Sequence, residues 1–154
     1  MTAPQPHAPK LIRPLALCVV LHQGKILVVE YQDPRRQSCY YRPPGGTIEF
    51  GETSSQALKR EMMEELGAGV TNLRFLGTLE NLYTIDGVLS HELVLIYQAD
   101  LENQQMYHIQ ELVGNENGTP IQVCWKSLRD FENSEKPLYP DGLYGLLANK
   151  GRDR

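Results

Sequence analysis

The sequence predicts an α/β domain, and three observations carry that class. Short apolar, β-branched runs lie on both sides of one amphipathic helix, tight-turn signals separate several of them, and a second helical pattern closes the chain. At 154 residues with 41% hydrophobic content, the chain suits one globular unit with a substantial core.

Residues 1–10, MTAPQPHAPK, are proline-rich, lack the basic-then-apolar layout of a signal peptide, and read as a loose tail before a single domain over 11–154. Leu15 to Leu21 and Lys25 to Tyr31 read as a hairpin around His22-Gln23-Gly24, and the first run is far too short to span a bilayer. Asp33 to Gln37 is an exposed loop. Tyr40 to Arg42 and Thr47 to Phe50 are expected as short strands flanking Pro43-Pro44-Gly45-Gly46, where two prolines stiffen the chain and two glycines release it.

A helix is expected from Ser54 to Leu66. Thr53 and Gln56 form a reciprocal capping pair, Glu52 lies near the positive end of the dipole, and Gly67 and Gly69 supply the left-handed stop. Asn72 to Tyr83 and Ser90 to Ala99 read as a second hairpin across Asp86-Gly87. The span Asn103 to Pro120 is polar, has no clear period and reads as a long functional loop. Ile121 to Trp125 is a further strand and Leu143 to Ala148 a short closing helix.

The helix carries the chemistry. At about 100° per residue, Leu58, Met62 and Leu66 share one arc, while Glu61, Glu64 and Glu65 occupy the neighbouring one. Carboxylates so close raise one another's pKa unless a cation intervenes, so the pattern points to a site for a hard divalent ion, magnesium or manganese. Arg60, on the flank of the acidic arc near Glu64, has the forked geometry to orient a carboxylate. Backbone carbonyls of the glycine turn offer further oxygen ligands.

A net charge of −4 gives no broad attraction for a nucleic-acid polymer, so a phosphate-bearing small molecule must be met locally. Arg42, next to the glycine turn, is the preferred phosphate contact, ahead of Arg35 and Arg36. Tyr40, Tyr41 and Tyr83 are candidates for stacking on a base, although strand tyrosines and Trp125 commonly complete a core. Glu92 enters an apolar strand and needs a metal or arginine partner. His91 has no second ligand at metal-site spacing. Cys18, Cys39 and Cys124, odd in number and widely spaced, read as reduced thiols of a cytoplasmic protein.

The segment Gly46 to Ala68, GTIEFGETSSQALKREMMEELGA, resembles the box of the Nudix hydrolases, G-x5-E-x7-R-E-U-x-E-E-x-G-U, where U is bulky and aliphatic. Gly46, Glu52, Arg60, Glu61, Met62, Glu64, Glu65 and Gly67 fall in place, and Ala68 alone departs. The order of elements around the box is similar to that of the small MutT-like members. The resemblance implies an α/β/α sandwich with a mixed sheet and metal-dependent hydrolysis of a nucleoside diphosphate linked to a group X. It also implies Glu61, Glu64, Glu65 and the Gly45 carbonyl as metal ligands, Arg60 as their orienting residue, and a general base that is either a helix glutamate or a loop acid. Glu111 is the preferred loop acid, with Glu116 and Glu92 behind it. The alternatives are a non-catalytic nucleotide-binding module, against which every box glutamate is retained, and an isoprenoid diphosphate isomerase. Candidate substrates run from nucleoside triphosphates to dinucleoside polyphosphates and nucleotide sugars. A homodimer is suggested only by the pairing of related small domains.

Overall fold

The computed structural model describes residues 10–33, 37–132 and 136–152. Arg35, Arg36 and most of the expected N-terminal tail lie outside the described residues.

Two sheets form the middle of the molecule. The first, a mixed sheet, contains β1 (Ile12–Val19), β5 (Gly45–Thr47), β6 (Val70–Ile85) and β7 (Val88–Leu101) in the order β5-β1-β7-β6, with β1 and β7 parallel. The second contains β2 (Leu21–His22), β3 (Lys25–Asp33), β9 (Thr119–Ser127) and β8 (Glu111–Glu116) in that order, with β4 (Ser38–Arg42) paired to β3. Helices α1 (Ser54–Leu66) and α2 (Leu143–Arg152) cover opposite sides. Strand alternation divides β1 between two cores: Ala16, Cys18 and Val20 pack with Ala57, Leu58 and Met62 of α1, whereas Leu15, Leu17 and Val19 pack with Leu143 and Leu147 of α2. The α/β/α layering and the mixed sheet expected from the sequence are therefore present.

The capping signals define α1 to its expected limits. Thr53 Oγ1 accepts from the Gln56 N–H at 3.2 Å, Gln56 Oε1 accepts from the Thr53 N–H at 2.9 Å, and Gly67 ends the helix at φ 63°. Asp86-Gly87 turns the long β6–β7 hairpin, both residues at positive φ.

Three expectations need correction. The run Leu15 to Leu21 does not form a hairpin with Lys25 to Tyr31; only the two-residue β2 pairs there, while β1 joins β5 and β7 in the other sheet. The turn after β4 does not separate two strands evenly, because β5 already begins at Gly45 and hydrogen-bonds β1 through the glycines. The span 103–120 is not a structureless loop. It holds a 3-10 turn (Gln104–His108) and β8, which pairs with β9 across Asn117-Gly118. Its alternation is masked in the sequence because the inward residues are Leu112, Gly114 and Glu116. Trp125 closes the core as expected, donating Nε1–H to the Met106 carbonyl at 3.3 Å. The three cysteines are free thiols, and burial pushes Cys18 up to about 12. Among the described residues, no helix is long and apolar enough to cross a membrane.

Candidate functional site between the two sheets

The acidic helix is organised around one guanidinium. Arg60 Nε and Nη2 fork onto the two oxygens of Glu52 at 3.0 and 2.6 Å, and Nη2 also reaches the Thr47 carbonyl at 3.0 Å. Its Nη1 donates to Glu61 at 2.9 Å and to Glu64 at 3.2 Å. One side chain thus ties three carboxylates to the strand that leads into the turn, as charge-assisted forks allow. The Arg60 bond, then the Glu49 N–H, hold Glu52 down at about 2.

Glu65 lies on the opposite flank, 6% exposed, one residue in the otherwise apolar face of α1. It sits under the glycine turn and accepts from the Gly45 N–H at 3.4 Å. Two close backbone approaches flank the helix here. A Cβ at Gly46 would stand 2.6 Å from the Glu61 carboxyl carbon, and one at Gly114 would stand 2.6 Å from the Glu65 carbonyl oxygen. Only glycine lets β5 and β8 close on the helix from both sides. Burial, then the charges of Glu116 and Glu61, push Glu65 up to about 8.

These groups line a cleft of about 350 Å³ between the sheets. On the mixed-sheet wall, Glu92 is buried with both oxygens occupied: Arg13 Nη2 donates at 2.7 Å and Asn81 Nδ2 at 2.9 Å. Arg13 Nη2 also reaches the Tyr83 hydroxyl at 3.0 Å. On the other wall, Tyr31 and Tyr40 stack with ring centroids 5.2 Å apart. Tyr31 donates its hydroxyl to Glu116 at 3.2 Å and accepts from Arg42 Nη2 at 3.2 Å. Burial works against the Arg42 charge, but Tyr31 and Glu116 more than offset it and raise its pKa. Its Nε is buried with no hydrogen-bond partner among the described residues.

Of the residues singled out in the sequence, Glu61, Glu65, Gly45, Arg42 and Glu92 line this cleft, together with Tyr40, Tyr83 and Glu116. Arg60 stands behind them. Glu64 is 57% exposed, held by Arg60, and does not line the cleft. Tyr41 is 1% exposed, in the core beneath the cleft, with its hydroxyl donated to Glu30 at 3.3 Å. Glu111 begins β8 on its exposed face; five residues on, strand alternation turns Glu116 inward instead. Arg13 and Tyr31 were not anticipated. A reader of the sequence had one signal for Arg13, the need of Glu92 for a cation, but its distance along the chain hid the match.

The donor set suits a hard cation that also takes ligands from a substrate. Two carboxylates beside a glycine turn, one of them kept out of water and raised by its neighbours, are what a divalent ion relieves. Among the described residues, no three carboxylate, histidine or cysteine side chains converge as a complete cage. Magnesium commonly binds through one or two carboxylates plus phosphate oxygens. A pH effect follows for the metal-free protein. With its folded pKa raised from 4.5 to about 8, Glu65 contributes stability that is complete below about 4.5 and lost as pH rises through about 8. The melting temperature in chelator is expected to fall between pH 6 and pH 9, and Glu65→Gln is expected to flatten that fall; equal slopes for the two proteins would contradict it.

Comparison with known proteins agrees with this geometry. The family profile described as the NUDIX domain matches residues 12–142. The chain is 36% identical over 72 residues to an NAD-capped RNA hydrolase NudC of Vibrio cholerae, covering 47% of this chain and 26% of that protein. It is 25% identical over 124 residues to an RNA pyrophosphohydrolase of Ruthia magnifica, covering 72% of this chain and 69% of that protein. The chain thus spans about a quarter of the length of the first relative. A NUDIX hydrolase structure from Nitrosomonas europaea superposes with a TM-score of 0.66 at 18% identity, covering 93% of this chain and 90% of that one, a likeness of fold.

Proposed function

The chain belongs to the NUDIX family, and from that premise we propose that it hydrolyses the pyrophosphate linkage of a nucleoside diphosphate joined to a second group X. The observation that carries this reading is the convergence of Glu61, Glu65 and Glu116 with Arg13 and Arg42 in one cleft. Carboxylates facing guanidiniums suit a phosphate anhydride together with a divalent cation. Glu61 and Glu65 would hold Mg2+ or Mn2+, with the Gly45 carbonyl as a further ligand. Bound there, the cation supplies positive charge to phosphate oxygens as the anhydride opens.

The chain's own residues do the rest. Arg42, whose Nε has no hydrogen-bond partner among the described residues, and Arg13, braced by Glu92 and Tyr83, donate to phosphate oxygens. Tyr31, pushed up to about 12 mainly by burial, stays protonated and keeps Glu116 in position. A water oxygen bonds to phosphorus, the bridging P–O bond breaks, and the water proton passes to a carboxylate. Glu116 replaces Glu111 as the acid offered by the β8–β9 hairpin, since it reaches the cleft. Tyr40 and Tyr31 offer a ring face to a base.

The test is a panel of nucleoside triphosphates, dinucleoside polyphosphates and nucleotide sugars with Mg2+ or Mn2+, with products separated by chromatography. Because two relatives are named for action on RNA ends, a 5′-triphosphorylated and an NAD-capped oligonucleotide belong in it. A nucleoside monophosphate or a released phosphate product is expected from at least one compound; binding without any product would leave the non-catalytic reading. Arg13→Ala is expected to raise KM by about tenfold or more, the cost of a lost charge-assisted bond. An unchanged KM would remove Arg13 from the phosphate site.

A further inference from the structure

We propose that group X is an uncharged, hydroxyl-rich unit of the sugar type, received in a second groove that opens from the cleft where β3 and β9 part. The ladder between these strands ends at Glu30 and Gln122. Beyond that pair β3 continues to Asp33 along β4, while β9 runs back to Thr119 along β8. Pro120 lies in the parted stretch and has no N–H to offer a ladder. The opening holds about 590 Å³, within the roughly 300–1,000 Å³ of small-molecule sites. Tyr31, Glu116 and Asn117 line both the cleft and this groove, so a group attached to the phosphates passes beside Glu116 from one into the other.

The lining decides what the groove can hold. Glu30, Gln32, Asn117, Thr119 and Gln122 supply a carboxylate, three amides and a hydroxyl. Each amide both donates and accepts, as a sugar hydroxyl does, and the carboxylate accepts from hydroxyls in charge-assisted bonds. Glu30 accepts from the Cys39 thiol and the Tyr41 hydroxyl, both at 3.3 Å, which fixes its carboxylate in place. The turn that presents Asn117 is pinned as well, since the Gly118 N–H donates to Asn115 Oδ1 at 2.7 Å.

Other forms of X meet an unfavourable surface. A second nucleotide or an RNA chain brings negative charge, and among the described residues no lysine or arginine lines the groove, where Glu30 and Glu116 oppose it. A second base also needs a stacking surface. Tyr31, the one aromatic residue there among the described residues, is already stacked with Tyr40 at the cleft. Arg13 and Arg42 line the cleft and not the groove, so charge is met in the first and hydroxyls in the second. The proposal rests on the hydrolytic reading, in that the diphosphate must occupy the cleft.

Two measurements on the full chain let the proposal and that reading fail separately. For each base, a nucleoside diphosphate hexose is compared with the dinucleoside diphosphate, with an alkyl ester of the nucleoside diphosphate and with a 5′-triphosphorylated oligonucleotide. Turnover is read with Mg2+, and binding by calorimetry with Ca2+. One hexose compound should exceed all three comparators by about tenfold or more in affinity and in kcat/KM, the worth of one or two added hydrogen bonds. Gln122→Lys, at an exposed position, should cut the preference for the hexose over the oligonucleotide by about tenfold, through KM and not kcat. Absence of turnover with every compound overturns the hydrolytic reading, and the order of binding then decides the groove. Equal or tighter binding of the alkyl ester, the dinucleoside or the oligonucleotide overturns the proposal. So does a preference that Gln122→Lys leaves unchanged.

Discussion

Replacing Glu65 with glutamine is expected to lower kcat by about 100- to 1,000-fold, the range seen when one group that stabilises transition-state charge is removed. The substitution keeps size and leaves an oxygen for the Gly45 N–H, so the fold should persist. Its buried position even favours a neutral side chain: the carboxylate it replaces is held near 8 by burial and by Glu116 and Glu61. The melting temperature in chelator at pH 8 should therefore stay level or rise while turnover collapses. Steady-state kinetics beside a thermal melt read both. Glu64→Gln makes the contrast, because Glu64 is more than half exposed and bonded to Arg60. A larger loss from Glu64 than from Glu65 would overturn the ranking given by burial.

Alanine at Gly45 is expected to act on folding instead. Its Cβ would stand 2.1 Å from the Ala16 carbonyl oxygen and 2.8 Å from the Leu17 Cα, both backbone, at φ +145°. Strands β1 and β5 must part for it to fit, at about 3 kcal/mol from strain and overpacking together. For a chain of this size that lowers the melting temperature by about 6 to 12 °C. Gly46→Ala meets a side chain, the Glu61 carboxyl that Arg60 holds. The carboxylate can swing aside, so the fold should melt near its usual temperature while kcat falls on the order of 100-fold, as for a group displaced by about 1 Å. Adjacent glycines giving the same pattern of melting and turnover would contradict these separate roles.

Local signals were legible in the sequence and distant pairings were not. Helix α1 runs from Ser54 to Leu66 because Thr53, Gln56 and Gly67 specify its ends within a few residues. The β6–β7 hairpin follows from Asp86-Gly87 in the same way. The parallel union of β1 with β7 depends on residues such as Leu15 and Val94, which no short window connects. The same distance hid the Arg13–Glu92 pair. In β8 the period was present but disguised, since its inward positions include Gly114 and Glu116 instead of three apolar residues. That disguise also explains why the sequence favours Glu111 as the loop acid, although Glu116 is the one that reaches the cleft. Among the helix glutamates, spacing put Glu61, Glu64 and Glu65 together; the depth of α1 and the reach of Arg60 then separated them.

The cleft draws Arg13, Tyr83 and Glu92 from one sheet and Tyr31, Arg42 and Glu116 from the other. A molecule clasped by both guanidiniums becomes a strut between layers that are otherwise joined mainly by packing and by the short crossings at Val20 and Pro44. Backbone amides of β1 and β3 would then exchange with solvent as one cooperative unit, slowing together on saturation although the strands share no ladder.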